Sequence, residues 1–140
     1  MREREVKCVL VLDGDQEPGV RANTAAILGF TLGARYPGLV GPDAPDADGR
    51  VHPGIISTPI PVLKSTAEGL REIRERLSDP KFQGVFCTDF SDVAQCCQTY
   101  PVYLERAAAT PTAGHRFLGL GLCGEKKLVN KLTGSLPLLR

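Results

Sequence analysis

The stretch that most constrains this chain is the nearly continuous apolar run VKCVLVLD at residues 6–13. A run of this length that ends in Asp13, Gly14 and Asp15 predicts a strand buried on both faces and followed by a turn. Residues 18–36 then predict a helix, because their apolar side chains recur on one side of a helical turn. A strand that leads through a sharp turn into a helix is the typical opening of an α/β unit.

The alternation of strand and helix continues to the end of the chain. Ser65 and Glu68 predict a capping box at the start of a helix, which Pro80 ends. The further elements predicted are a helix at 65–80, a strand at 84–90, a helix at 91–110 that is kinked or restarted at Pro101, a strand at 115–124 and a helix at 125–133 capped by Gly134. We therefore predict one α/β domain over residues 1–140, with three layers and a small mixed, mostly parallel sheet flanked by helices.

Residues 37–62 are rich in proline and predict no helix. Asp48-Gly49 within this segment predicts a short hairpin or a long excursion between two strands. Its acidic tip is expected to be exposed, and its length is unusual for a plain connection, which points to a role in binding or assembly.

Composition excludes several classes of protein. Of the 140 residues 42% are hydrophobic and 24% charged, and the net charge of +1 offers no broad basic field for nucleic acid. No apolar run approaches the ~20 residues of a membrane span. The charged start MREREVK predicts no signal peptide, so we expect a cytoplasmic protein. Its five cysteines lack the spacing of a zinc site, and we expect them to be reduced, with no metal and no cofactor.

Polar residues follow several of the predicted strands. Ligands of open α/β sheets bind beyond the carboxyl ends of the strands, so we expect residues 13–24, 88–92 and 124–127 to converge there. In the first segment a helix start with free N–H groups predicts an anion site, for which the candidate residues are Gly19, Arg21, Asn23 and Thr24. Capping and ordinary surface explain the same residues about as well.

The other two segments supply charged candidates. Asp89 and Asp92 follow the strand at 84–90, where a helix N-cap is the alternative explanation. Lys126 lies at the start of the last helix, where a cation opposes the helix dipole. The histidines, His52 and His115, are weak candidates, and no serine lies in a nucleophile elbow, so a Ser-His-Asp hydrolase is not expected.

Two terminal stretches carry a resemblance to a known family. KCVLVLDGDQEPGVRANTAAI and LGLCGEKKLVNKLTGSLPLL resemble the terminal signatures of type 2 peptidyl-tRNA hydrolases, and CTDFSDVAQ resembles that family's aspartate-containing strand end. The whole chain is more similar still to a family of unknown function that shares this fold, through ANTAAILG, PGLVGPD, HPGI, PIPVLK and NKLTGSLPLLR. The resemblance implies the hydrolase-like fold and, since the related hydrolases are dimers, a homodimer.

The sequence departs from the hydrolases where their catalytic lysine lies. The matching position holds Asn23 or, with one gap, Arg21, and neither can act as an amine with a tunable pKa. The hydrolase aspartate corresponds to Asp89 or Asp92, and the threonine of the last strand has no clear counterpart. The near-neutral charge also provides no basic surface for tRNA. The resemblance therefore implies the fold, whereas classical peptidyl-tRNA hydrolase activity is not expected.

Three functions remain open at this point. The first is a module that binds a small anionic or acyl-bearing ligand between Arg21, Asn23, Asp89 and Lys126. The second is a hydrolase or acyl transferase in which Asp89 orients a water and Asn23 or Arg21 polarises a carbonyl. The third is a protein that acts on peptidyl- or aminoacyl-tRNA. Whichever holds, the apolar tail at 135–140 is expected to return to the sheet or to a partner subunit.

Overall fold

A computed structural model describes residues 5–140; residues 1–4, the first part of the charged start, lie outside it. Its main sheet has four strands, in the order β4-β1-β6-β5. The elements in chain order are β1 (Val6–Asp13), α1 (Pro18–Arg35), β2 (Ala44–Pro45), β3 (Val51–His52), β4 (Val62–Ser65), α2 (Ala67–Arg76), β5 (Phe86–Ser91), α3 (Asp92–Gln95), α4 (Tyr100–Ala109), β6 (Phe117–Glu125) and α5 (Lys126–Thr133).

The sheet is mixed. β1 pairs with β4 in parallel, whereas β6 runs antiparallel to both β1 and β5. Three of the four strands therefore point in one direction, but the pairings themselves are mainly antiparallel, and the expectation of a mostly parallel sheet is wrong. The reason is that β6 is inserted between β1 and β5 in the opposite direction.

Helices cover both faces of the sheet and make three layers. On one face α2 and α5 contribute Leu70, Ile73, Val129 and Leu132 to a cluster with strand residues such as Val9, Val11, Leu120 and Leu122. On the other face α1 packs through Leu28 and Leu32 onto Cys8, Leu10, Leu12 and Cys123. Burial of strand side chains on both faces explains the continuous apolar runs of β1 and β6.

Glycines in β6 allow α1 to approach the sheet closely. A Cβ atom at Gly119 would lie 2.7 Å from Cγ2 of Thr24, and one at Gly121 would lie 3.2 Å from Cδ1 of Leu32. The alternation of glycine and leucine in this strand therefore has a packing cause.

The C-terminal tail closes one edge of the sheet. The amide of Lys64 donates to the carbonyl of Pro137 at 2.8 Å, and the amide of Leu139 donates to the carbonyl of Val62 at 2.9 Å. Leu136 packs on the cluster beneath α2 and α5, and Leu139 on the cluster beneath α1. The expected return of the tail to the sheet is confirmed, although Leu138 remains 51% exposed.

Several element ends differ from expectation. The side chain of Thr66, not Ser65, caps α2 by accepting from the amide of Gly69, because Ser65 is still part of β4. With Thr66 as the N-cap, the third helical position holds Gly69 rather than Glu68, so the predicted capping box is wrong. The helix ends at Arg76 rather than near Pro80. The helix predicted at 91–110 is divided into α3 and α4, and Pro101 lies in the first turn of α4, which agrees with the predicted restart there. Strands β2 and β3 form a hairpin in the proline-rich segment, one of the two arrangements predicted for it.

Candidate functional site

Arg21 lies at the start of α1 in a cleft that is otherwise mostly apolar. Its Nε atom is buried and has no hydrogen-bond partner among the described residues. The cleft measures about 340 Å³ and is lined by Arg21 and Arg140 together with Leu12, Pro18, Ala22, Ala25, Val62 and Leu139. We call it the arginine cleft. One apolar wall comes from α1, the floor from the end of β1, and the opposite wall from β4 and the tail.

Asp89 lies in a second cleft, along the free edge of β5. This cleft measures about 420 Å³ and is lined by Ile27, Thr31, Thr88, Asp89, Phe90, Ala94, Cys97, Gln98, Thr99, Tyr100 and Tyr103. We call it the aspartate cleft. Its polar lining consists of hydroxyl groups, one carboxylate, one amide and one thiol, with the rings of Tyr100 and Tyr103 packed edge to face at 5.4 Å.

The charge of Asp89 is partly balanced by α2. One carboxylate oxygen, Oδ2, lies 3.5 Å from Nε of Arg74, and both side chains are partly exposed, so the pair is screened by solvent. Burial raises the pKa of the Tyr103 phenol, and the negative charge of Asp89 raises it further. Tyr103 is therefore a neutral hydroxyl that can donate a hydrogen bond at physiological pH.

The two clefts open on opposite flanks of α1. Since an α-helix has 3.6 residues per turn, Arg21 and Ala25 face one flank, and Ile27 and Thr31 face the other. The sequence prediction that Arg21 and Asp89 line one common pocket is therefore wrong. The buried stripe of α1 separates them.

The other candidates near the start of α1 divide between surface and core. Gly19 and Asn23 are exposed. Thr24 is buried, donates from Oγ1 to the carbonyl of Val20 at 2.8 Å, and faces the sheet rather than either cleft. Among residues 5–140 no side chain caps the start of α1, so the amide groups of its first turn are available to an anion at this end.

Asp92 and Lys126 lie away from both clefts. Asp92 begins α3, where its Oδ1 accepts from the amide of Arg116 at 3.0 Å. This hydrogen bond links the end of β5 to the residue that precedes β6. Lys126 follows Glu125, which pairs with Val6 at the opposite end of the sheet from Asp13. The expected convergence of Lys126 with the other candidates is wrong, because β6 is antiparallel and brings its carboxyl end beside the amino end of β1.

Sequence reasoning missed several residues that line the clefts. Leu139 and Arg140 belong to the predicted apolar tail, and it is the return of this tail to β4 that places them opposite Arg21. Thr31, Tyr100 and Tyr103 lie on helical faces whose direction no local motif reveals.

Ser91 and His115 hydrogen-bond at 2.9 Å, but Ser91 is 2% exposed and its hydroxyl is closed to a substrate.

Within residues 5–140 no group of three or more His, Cys, Asp and Glu side chains is arranged to hold a metal ion. In the same part of the chain no helix is both long and apolar enough to cross a membrane.

Comparison with protein families gives a match over residues 6–140 to a family described as protein of unknown function (DUF2000). The chain belongs to the DUF2000 family. This confirms its predicted membership in a family of unknown function.

A solved structure shows the same fold. The protein of unknown function Atu0240 of Agrobacterium tumefaciens strain C58 superposes with a TM-score of 0.85 at 19% sequence identity, over 96% of this chain and 97% of that one. A search of curated proteins finds no match. At this level of identity the likeness concerns the fold alone.

Proposed function

We propose that this protein binds a small carboxylate with a short aliphatic chain in the arginine cleft. The observation that carries the proposal is the buried Nε of Arg21, which reaches no acceptor among the described residues. A buried donor without a partner costs ~1–3 kcal/mol, and a carboxylate oxygen would satisfy it with a charge-assisted hydrogen bond.

The lining of the cleft favours an anion with an apolar body. Side chains such as Leu12, Val62 and Leu139 would cover methylene groups, while Arg21 and the uncapped start of α1 would hold the charged end. A volume of about 340 Å³ suits a small molecule. Arg140 adds a second basic residue to the lining.

Hexanoate is a suitable probe, with 1-hexanol as the uncharged comparison. Thermal unfolding and ¹H–¹⁵N NMR titration should show hexanoate binding with shifts around Ala22, Ala25 and Leu139, and a much weaker response to hexanol. Arg21→Met should weaken hexanoate binding ~10- to 100-fold, the equivalent of losing one charge-assisted hydrogen bond.

The matched control is Arg106→Met, on the exposed face of α4. This variant changes the net charge equally and should bind hexanoate as the parent protein does. Equal responses from hexanoate and hexanol, or an equal loss of binding in both variants, would refute the proposal.

A second candidate function is hydrolysis or acyl transfer in the aspartate cleft. It is favoured by Asp89, whose side chain is 29% exposed within a cleft lined by hydroxyl groups. There Asp89 would orient a water, with Tyr103 as a hydrogen-bond donor to a carbonyl. Asp89→Asn should abolish hydrolysis of p-nitrophenyl acetate at unchanged melting temperature. Retained turnover would remove Asp89 from this role.

We further infer the type 2 peptidyl-tRNA hydrolase-like fold, a homodimer and a cytoplasmic location, on the terminal motifs and composition given above. Binding of tRNA is not part of the proposal. No mobility shift of bulk tRNA at low salt is expected with a net charge of +1. Sedimentation equilibrium tests the dimer, which a monomer at micromolar concentration would contradict.

A further inference from the structure

Two buried cysteines face each other across the central pair of strands. Cys8 in β1 lies directly opposite Cys123 in β6 in the antiparallel register. Their sulphur atoms are 2.9 Å apart in a thiol–thiol hydrogen bond. The side chains are 1% and 0% exposed. Among the cysteines of residues 5–140, Cys8 and Cys123 form the only thiol–thiol contact between residues that are distant in sequence.

Antiparallel strand geometry suits a covalent bond at this position. Directly opposed residues have Cα atoms ~4.5–5.5 Å apart, within the ~4.4–6.8 Å over which disulfides form. Closing the bond therefore requires rotation of side chains and no movement of the backbone. We propose that Cys8 and Cys123 are a redox modification site, at which a peroxide forms a reversible cross-strand disulfide.

The reaction is balanced with hydrogen peroxide as the oxidant. The thiolate of Cys8 attacks one peroxide oxygen, breaks the O–O bond and becomes a sulfenic acid, releasing one water after proton uptake. The sulphur of Cys123 then attacks the sulfenic sulphur, the S–S bond forms, and the second water leaves with the remaining proton. In total, two thiols and one H₂O₂ give one disulfide and two waters.

The environment favours Cys8 as the first sulphur to react. The hydrogen bond between the thiols lowers the pKa of Cys8 and raises the pKa of Cys123, against the effect of burial on Cys8. Of the two sulphurs, Cys8 therefore loses its proton more readily. Since the thiolate is the reactive form, this difference favours Cys8 in the first step.

A small oxidant can reach the pair from the end of the ladder. Among residues 5–140, two strand pairs, Val6–Glu125 and Lys7–Gly124, lie between the cysteine pair and that end of the ladder. Opening so few strand pairs requires much less than global unfolding. The partly buried thiol of Cys87 is less reactive, because burial raises its pKa to about 12.

Mass spectrometry of the full chain tests the site directly. The reduced protein should take five alkyl groups from iodoacetamide in denaturant, one for each of its five cysteines, and the peroxide-treated protein should take two fewer. Trypsin places Cys8 in peptide 8–21 and Cys123 in peptide 117–126, whereas the remaining cysteines share peptide 82–106. The expected product is a cross-link between the first two peptides, reversed by dithiothreitol.

Variants and stability provide a second readout. The bond spans a separation of 115 residues, so oxidation should raise the melting temperature by about 10 °C. Cys8→Ala should abolish both the cross-link and the rise, whereas the double variant Cys96→Ala/Cys97→Ala should keep both. Full alkylation after peroxide treatment, or a disulfide confined to peptide 82–106, would overturn the proposal. Because the peptides are mapped in the parent protein, this holds even if Cys8→Ala fails to fold.

Discussion

At the scale of single residues, Arg21 combines a cost in stability with a proposed role in binding. Its Nε is buried without an acceptor among the described residues. Replacing a buried unsatisfied donor by an apolar group of similar shape removes its desolvation cost. Arg21→Met should therefore raise the free energy of unfolding by about 1 kcal/mol, measured by urea titration without added carboxylate. A destabilised variant would show that the guanidinium is satisfied in solution.

Glycines at the interface of α1 and β6 provide a second prediction at this scale. Gly119→Ala should destabilise the protein by ~1–3 kcal/mol, because the new Cβ would lie 2.7 Å from Thr24 and 2.8 Å from Leu12 side-chain atoms. Gly33 lies within α1, where no atom of the described residues outside the helix's own backbone is within 4 Å of a new Cβ, so Gly33→Ala should instead stabilise the protein by ~0.5–1 kcal/mol. Urea unfolding of both variants checks the contrast, which equal effects would contradict.

At the scale of elements, the sequence predicted what local patterns determine. Continuous apolar runs marked β1, β5 and β6, periodicity marked α1, and the glycine after its last residue marked α5. Strand direction within a sheet depends on long-range pairing, and nothing within β6 itself indicates that it is antiparallel. Because β6 is antiparallel to β1, Lys126 lies at the end of the sheet opposite to Asp13. The short strand β4 was also missed, because its four residues lie beside prolines that suggest only a loop.

The start of α2 gives a prediction for one element. Its cap is the side chain of Thr66, which accepts from the amide of Gly69 at 3.0 Å. Thr66→Ala should cost about 1 kcal/mol of unfolding free energy, the usual value of a lost N-cap. Val at the same position provides a control that keeps the β-branched shape but cannot accept the bond, and should cost about the same. If Thr66→Ala leaves the free energy of unfolding unchanged, Thr66 does not cap α2.

At the scale of the whole molecule, the position of the site depends on contacts between distant parts of the chain. Arg21 could be recognised as a candidate from the start of a helix, but its cleft is completed by the last residues of the sequence. Asp89 could be recognised from the end of a strand. It is separated from Arg21 because the two clefts lie against opposite flanks of α1. The sequence thus predicted which residues are candidates for a site. It did not predict which of them lie together, because that depends on the topology of the sheet.

The tail connects the stability of the sheet to the arginine cleft. Deleting residues 135–140 would remove the backbone hydrogen bonds from Lys64 and to Val62, and would expose apolar surface beneath Leu136 and Leu139. We expect a loss of ~3 kcal/mol or more in unfolding free energy, together with self-association through the uncovered edge of β4.

Two single substitutions separate these effects of the tail. Leu139→Ala should destabilise the protein by ~1–2 kcal/mol and weaken hexanoate binding, since this side chain packs on the core and lines the cleft. Leu138→Ala, at a 51% exposed position, should change neither property by much. Thermal unfolding with and without hexanoate measures both quantities in one experiment. If Leu139→Ala lowers stability but leaves hexanoate binding intact, the tail supports the sheet alone and does not form a wall of the ligand site.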